Sequence, residues 1–141
     1  MYSTCMKNDR YLVKCLTVSS YITSNHFIVD TGARLTCCKY SFIDKNIREA
    51  DVADCETRLV GGLVRGSMVK FYKYPLKQFT IGNIDMGRRD IWLTFDARIT
   101  DIILGMDILK QVIMIINPYN QRVHFCKDEE DYRKNFVMAA A

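Results

Sequence analysis

The sequence predicts an all-β protein, folded as a small closed or partly closed barrel of short strands. Three observations indicate this class: short segments rich in β-branched and aromatic residues, turn residues between them, and little sequence of helical character. The length of 141 residues favours a single domain over residues 1–141.

The predicted strands are short and carry side chains that suit a pleated, half-buried surface. They cover residues 11–18, 27–29, 68–72, 76–81, 91–97, 112–116 and 122–126. Pro75 is expected between two of them, where no ladder donor is needed. Residues 117–120 predict the turn of a final hairpin, because Pro118 fixes φ and asparagine tolerates left-handed backbone.

Helix is expected in two places. Residues 105–111, GMDILKQ, predict a short helix after Gly105, and residues 128–138 predict a C-terminal helix. In the second segment the acidic residues come first and the basic residues later, which suits the helix dipole. Residues 43–58 fit either a short helix or a loop.

The composition excludes several classes of protein. Hydrophobic residues make up 49% of the chain and charged residues 26%, close to the average of soluble globular proteins. No apolar run approaches the roughly 20 residues that span a membrane, and the first residues lack the apolar stretch of a signal peptide. We therefore expect a cytoplasmic protein with no membrane partner.

The cysteines and histidines do not form a recognisable metal-binding pattern. The chain has six cysteines and two histidines, and no C-x-x-C pair occurs. Structural zinc ligands usually come in closely spaced pairs, so we expect no metal site. Without a secretion signal the cysteines are better interpreted as small, mostly buried apolar residues than as a disulfide scaffold.

The net charge of +4 is mild, and charges of both signs are interspersed. Lys70, Lys73 and Lys77 alternate with aromatic residues, which is one feature of nucleic-acid-binding surfaces. A solvated strand face with aromatic residues packed behind it explains the same pattern. A domain-wide basic patch would be needed to favour a nucleic-acid surface, so we expect no nucleic-acid partner.

The most informative motif is D-T-G-A, residues 30–33, directly after the apolar run F-I-V. One interpretation is an ordinary turn, in which Asp30 and Thr31 bond their own backbone and Gly32 supplies conformational freedom. The context favours another, because Asp30 would end a buried strand. A carboxylate in such a place must be paired, hydrogen-bonded or protonated, and residues 27–29 offer no cation.

Two further motifs follow along the chain. Gly61, Gly62 and Gly66 lie within LVGGLVRGSMVKFY, which predicts a flexible hairpin and does not match a phosphate-binding loop. I-I-L-G-M-D, residues 102–107, predicts a tight corner between a strand and a helix, where a glycine admits close packing.

The order of these motifs resembles the retropepsin-like aspartic proteases, the single-domain, dimeric relatives of pepsin. The resemblance covers a core of about residues 11–126 and leaves 127–141 as a C-terminal extension. The motif I-L-G-M-D-I-L is more similar to the cellular and bacterial members than to the retroviral ones.

The resemblance implies an aspartic endopeptidase in which Asp30 is the catalytic residue. One chain has a single D-T-G, so two chains must pair about a two-fold axis to build the site. The water between the two Asp30 carboxylates would attack a peptide substrate, with no cofactor and no metal. The alternative is a catalytically silent binding or dimerisation module with the same fold.

The resemblance also assigns supporting residues around Asp30. Thr31 would hydrogen-bond across the dimer axis, while Gly32 and Ala33 would leave room for the substrate backbone. The apolar layer beneath the loop would consist of three consecutive residues: Ile103, Leu104 and Gly105.

The hairpin at about Leu59–Tyr72 would be the flap that closes over the substrate. The substrate-binding residues implied on the flap and the floor are Gly61, Gly62, Leu63, Val64, Gly32 and Arg34. Trp92 is a further candidate for lining a side-chain pocket.

The residue after D-T-G-A departs from the family pattern. Retroviral members usually have an acidic residue there, paired with an arginine after the later glycine, whereas this chain has Arg34 first and Asp107 later. We therefore predict an interaction between Arg34 and Asp107 of the same or the partner chain. The substrate preference of the family cannot be transferred across this difference.

Overall fold

The structure is a computed structural model of the chain, and it describes residues 1–7, 10–18 and 22–137. The end of the predicted C-terminal extension, residues 138–141, lies outside the described residues. Within these ranges the chain forms twelve strands in one sheet. They are β1 Tyr2–Lys7, β2 Arg10–Val18, β3 Ile22–Val29, β4 Cys37–Lys39, β5 Thr57–Val64, β6 Ser67–Leu76, β7 Gln78–Ile81, β8 Ile84–Asp85, β9 Arg89–Thr94, β10 Ile103–Leu104, β11 Ile113–Asn117 and β12 Arg122–Cys126.

The predicted all-β class is confirmed, and the sheet is open. Its strands follow the order β11-β12-β1-β2-β3-β10-β4-β9-β6-β5, with β7 pairing to β2 and β8. The two ends of this path, β11 and β5, do not pair with each other in the described chain. The sequence allowed a closed or a partly closed barrel, and the sheet of this chain is not closed.

The centre of the sheet is built from short strands that are distant in sequence. β10 runs parallel to β3, with Ile103 opposite Ile28, and antiparallel to β4, with Ile103 opposite Cys37. β4 in turn runs parallel to β9. This insertion of β10 between β3 and β4 places the end of β3 against the start of the following helix.

Two apolar clusters fill the space on either side of the central strands. In the larger one Phe27 and Phe79 are fully buried and meet edge to face, with their ring centroids 5.8 Å apart. β9 separates the clusters, since Leu93 belongs to the larger and Trp92 to the smaller. Both faces of β9 are therefore buried.

The prediction for Pro75 is wrong in one respect, because Pro75 lies inside β6 rather than between two strands. It pairs with Asp90 of β9 on one side. The pairing of β6 with β5 ends at Tyr72 opposite Thr57, so the other side of Pro75 has no ladder partner. The missing N–H of proline therefore breaks no bond of the ladder.

The N-terminal strand β1 was not predicted from the sequence. It lies between β12 and β2 and pairs Tyr2 with Phe125 and Met6 with Tyr11. The ring of Tyr2 covers Gly82, where a Cβ atom would lie 1.9 Å from the nearest ring carbon. Glycine is required at this turn for a second reason, since φ of Gly82 is +58°.

Both predicted helices are present in shorter forms. The first, α1, spans Met106–Leu109, and the second, α2, spans Glu129–Tyr132 and continues into a π-helical turn over Arg133–Val137. The Asp128 carboxylate caps α2 by accepting a hydrogen bond of 2.9 Å from the Asp131 N–H. The ambiguous segment, residues 43–58, contains one 3-10 turn, Glu49–Val52, and another, Tyr40–Phe42, directly precedes it. In the described ranges no helix has the length and apolar character needed to cross a membrane.

Candidate active site

Asp30 lies directly after β3, at the point where this strand meets β10. Its N–H donates to the Leu104 carbonyl at 3.0 Å, and its own carbonyl accepts from the Ala33 N–H at 3.1 Å. The first bond continues the β3–β10 pairing and the second closes a tight turn. The backbone around Asp30 is therefore fixed on both sides.

The loop orients one oxygen of the Asp30 carboxylate and leaves the other free. Asp30 Oδ1 accepts a hydrogen bond of 2.9 Å from the Gly32 N–H. No donor in the described part of the chain reaches Asp30 Oδ2. A Cβ atom at Gly32 would lie 3.2 Å from Oδ1, so any side chain there would crowd the carboxylate.

Thr31, between these two residues, lies on the surface of the chain. Its side chain is exposed, and its hydroxyl has no hydrogen-bond partner among residues 1–7, 10–18 and 22–137. The predicted bond across a dimer axis needs such a free hydroxyl. The bond itself stays a prediction.

The loop after Asp30 is held against the strand–helix corner by main-chain bonds. The Met106 N–H donates to the Ala33 carbonyl at 2.8 Å, and the Asp107 N–H donates to the Arg34 carbonyl at 3.2 Å. At Gly105 the two segments are so close that a Cβ atom would lie 2.4 Å from the Leu35 carbonyl oxygen. The I-L-G motif thus supports the D-T-G-A loop through its backbone.

A buried polar group that was missed by the sequence interpretation completes this contact. Thr36 is fully buried. Its hydroxyl donates to Asp107 Oδ1 at 2.6 Å and accepts from the Gly105 N–H at 3.0 Å. The Thr36 N–H donates to both oxygens of the same carboxylate, at 3.0 and 3.1 Å. Thr36 therefore joins the end of the loop to the start of α1.

The predicted interaction of Arg34 with Asp107 is not found within one chain. The Asp107 carboxylate is occupied by Thr36 and by the Ile108 N–H, which donates to Oδ1 at 2.9 Å. Only the backbones of Arg34 and Asp107 are bonded, and no ion pair joins their side chains in the described residues. Thr36 offers the Asp107 carboxylate two donors instead, its N–H and its hydroxyl.

The predicted glycine-containing hairpin is formed by β5 and β6. Its two strands lose register between Val60 and Val64, and Gly62 and Gly66 adopt φ of +86° and +72°. These backbone conformations strongly favour glycine. Leu59 and Met68 are largely exposed on the hairpin.

Asp30 and the hairpin face each other across a cleft of about 500 Å³. Of the residues predicted for the site, Asp30, Gly32, Ala33, Arg34, Gly61, Gly62, Leu63 and Ile103 line it. Thr31, Val64, Leu104 and Gly105 do not. Leu104 and Gly105 lie buried beneath the loop, and Val64 packs against the smaller apolar cluster.

Sequence reasoning missed the residues at the base of this cleft. Cys37 and Phe71 line the cleft and belong to the smaller apolar cluster beneath it. Trp92 is a buried member of that cluster and lines a neighbouring cleft instead. The Arg58 guanidinium covers its ring, 5.1 Å from the centroid.

A polar contact joins the hairpin to the loop after β9. Arg98 pairs with Asp96 at 2.7 Å and donates from Nη1 to the Ser67 hydroxyl at 3.3 Å. Hydrogen bonds from the Arg98 side chain and backbone lower the pKa of Asp96 to about 2. The Asp96–Arg98 pair therefore stays charged in mildly acidic solution.

We expect the thiol of Cys37 to be unreactive in the folded protein, although it lines the cleft. Burial raises its pKa to about 12, and the charges of Asp107 and Asp30 act in the same direction. Cys5 is exposed. An aromatic disulfide reagent at mildly alkaline pH should therefore label Cys5 first and Cys37 only after denaturation.

The Cys5→Ser variant is the control for this labelling, since it should remove the fast phase and leave the slow one. Peptide mapping identifies the labelled thiols. Rapid modification of Cys37 in the native protein would contradict the burial of this residue.

The donor groups in the described ranges include no cluster of three or more that would hold a metal ion. Asp30 is the only carboxylate in the lining of the cleft. The chemistry that this site offers in one chain is therefore that of a single oriented carboxylate.

A family model described as "Aspartyl protease" matches residues 22–108. The match covers more than half of the chain and includes β3, the D-T-G-A loop, the hairpin and the I-L-G corner. The chain belongs to the aspartyl protease family.

Within that family the fold is retropepsin-like. The structure is similar to a retropepsin-like aspartic protease from Rickettsia conorii, with a TM-score of 0.63 and 16% sequence identity over 88% of each chain. Among curated proteins, no sequence matches the chain significantly.

Proposed function

We propose that the chain is a homodimeric aspartic endopeptidase, with one Asp30 from each protomer in a shared catalytic site. The observation that carries the proposal is the position of Asp30, oriented through one oxygen at the floor of a cleft beneath a glycine-containing hairpin. The second oxygen is free to face a partner. Family membership and the retropepsin-like fold support the same activity.

The proposed mechanism uses the two carboxylates in different protonation states. In aspartic proteases generally, carboxylates about 3 Å apart share one proton because both cannot be charged. The charged Asp30 takes a proton from the water between them, and that water attacks the scissile carbonyl carbon. The protonated Asp30 stabilises the carbonyl oxygen and a proton then passes to the leaving amine.

The cleft offers what an extended peptide needs. Strand-like hydrogen bonds from the hairpin backbone would hold the substrate main chain over Asp30. Gly61 and Gly62 keep that backbone accessible. Phe71 and Ile103 give the floor an apolar surface for substrate side chains.

Cleavage of a peptide library by the wild-type chain and by Asp30→Asn tests the activity. At mildly acidic pH we expect Asp30→Asn to lower kcat/KM by at least about 100-fold, since it removes the general base. A statine-containing peptide should inhibit the wild type. Equal cleavage by both proteins would contradict the assignment.

Mixing the two proteins tests whether the site is shared. Random pairing of equal amounts, after dissociation and reassociation, leaves about one quarter of the dimers with two intact Asp30 residues. At the same total chain concentration, the mixture should therefore have about one quarter of the activity of the wild type alone. Sedimentation equilibrium provides the second readout, and a strict monomer with full activity would overturn the dimer.

A further inference from the structure

We propose that a basic cleft beside the candidate active site selects substrates with acidic residues close to the scissile bond. The inference depends on the proposed peptidase function and adds a substrate class to it. The basic cleft is a second depression of about 490 Å³, with Arg34, Arg58, Lys73, Arg89 and Lys110 among its lining residues.

Charge is the first argument for an acidic ligand. The lining of the basic cleft has five cationic side chains and two carboxylates, those of Asp90 and Asp107, a formal excess of three positive charges. The whole chain carries only +4. Positive charge is therefore concentrated at this place rather than spread evenly over the surface.

The acidic residues of the basic cleft do not neutralise its arginines. The Asp107 carboxylate is occupied by Thr36 and the start of α1. Asp90 lies 3.8 Å from Lys73, which also pairs with Glu56 at 3.3 Å. Among the described residues, none of Arg34, Arg58, Arg89 and Lys110 forms an ion pair, so all four are available to a ligand.

Two of these arginines are held in place by the fold. The Arg58 guanidinium stacks over Trp92, which restrains it and leaves its edge free for a carboxylate. The Arg89 side chain is half-buried, and its Nε is buried without a hydrogen-bond partner in the described chain. The Arg89 Nη1 donates to the Arg88 carbonyl, which helps to hold the guanidinium in place.

The basic cleft is continuous with the candidate active site. Arg34, Leu35 and Arg58 line both clefts. An extended peptide advances about 3.3 Å per residue, and its alternate side chains lie on one side. A substrate that crosses Asp30 and continues past Arg34 therefore brings its flanking side chains to the arginines.

Matched peptide pairs test this specificity. Each pair differs only by glutamate or glutamine within about four residues of the cleaved bond, on either side. For the wild type we expect kcat/KM to favour at least one glutamate peptide by about tenfold at low salt, falling towards equality at high salt. If both peptides of every pair are cleaved equally and cleavage still depends on Asp30, the acidic preference is refuted and the peptidase proposal stands.

The variant Arg89→Gln/Lys110→Gln should reduce the glutamate-to-glutamine ratio to about twofold or less. Its matched control is Lys45→Gln/Lys77→Gln, which makes the same change in net charge at exposed lysines outside both clefts. The ratio is measured within one protein, so partial loss of folded protein does not affect it. A ratio that falls equally in the control would also overturn the inference.

Binding of the same peptides to Asp30→Asn separates this inference from the proposed function. If the wild type cleaves nothing but Asp30→Asn binds glutamate peptides more tightly in an Arg89-dependent manner, the peptidase proposal fails and the acidic preference holds. Equal affinities would refute the acidic preference. A single-stranded oligonucleotide that competes as well as the peptide at equal charge would show a general polyanion surface instead.

Discussion

Gly105→Ala is expected to destabilise the folded chain by about 3 kcal/mol or more, because the added methyl group meets backbone rather than a movable side chain. The new Cβ would lie 2.4 Å from the Leu35 carbonyl oxygen and 2.5 Å from its carbon. Gly105 has φ of −100°, which alanine adopts freely, so the expected cost is purely steric. Relief of the clash requires the loop from Asp30 to Thr36 to move.

Urea unfolding monitored by Trp92 fluorescence measures this cost, and Gly87→Ala is the matched control. Gly87 has φ of +68° but open space around its Cα, so alanine there should cost only about 1 kcal/mol through backbone strain. A smaller loss for Gly105→Ala than for Gly87→Ala would show that the close contact with Leu35 is not rigid.

Thr36→Val has the second-largest expected effect, a loss of about 3 kcal/mol. Valine keeps the shape of the side chain but removes its hydroxyl. The Gly105 N–H then loses its acceptor in a buried position, and Asp107 Oδ1 loses the donor at 2.6 Å. Peptidase activity should fall as well, since the same bonds hold the loop that contains Asp30.

Two variants separate the lost hydroxyl from the change of residue type. Thr36→Ser keeps the hydroxyl and should recover most of the stability. Thr57→Val makes the same substitution at an exposed strand position and should change the free energy of unfolding by less than about 0.5 kcal/mol. If Thr36→Val is as stable as Thr57→Val, the polar network has no structural importance.

The longer strands could be predicted because their signals are local. The β-branched and aromatic residues of 11–18 and 122–126 lie next to turn residues, and both strands occur close to the predicted bounds. β4 and β10 contain only three and two residues, and their pairing joins parts of the chain far apart in sequence. No local pattern specifies such strands.

The position of Asp30 could also be predicted, because D-T-G-A follows an apolar run and the later motifs occur in the family order. Thr36 could not, since a threonine after leucine has no local signal and its partner Asp107 is 71 residues away. Asp107 was recognised as unusual, but charge alone suggested Arg34 as its partner. The fold instead gave Asp107 a buried hydroxyl and two backbone donors.

The basic cleft was equally hidden from sequence interpretation. Its cations come from the loop after D-T-G-A, β5, β6, β9 and the end of α1, so no charge run appears in the chain. The sequence drew attention to Lys70, Lys73 and Lys77, of which only Lys73 lines that cleft. The order of the strands in the sheet brings these separate cationic residues together in one cleft.

The place of β1 in the sheet has a consequence for biosynthesis. Tyr2 of β1 pairs with Phe125 of β12, so β1 is synthesised well before β12 and its ladder stays incomplete until β12 is made. The contact between the Asp30 N–H and the Leu104 carbonyl likewise requires most of the chain. Such long sequence separations slow folding. A nascent chain therefore cannot assemble the loop around Asp30 until the segment around Leu104 has left the ribosome.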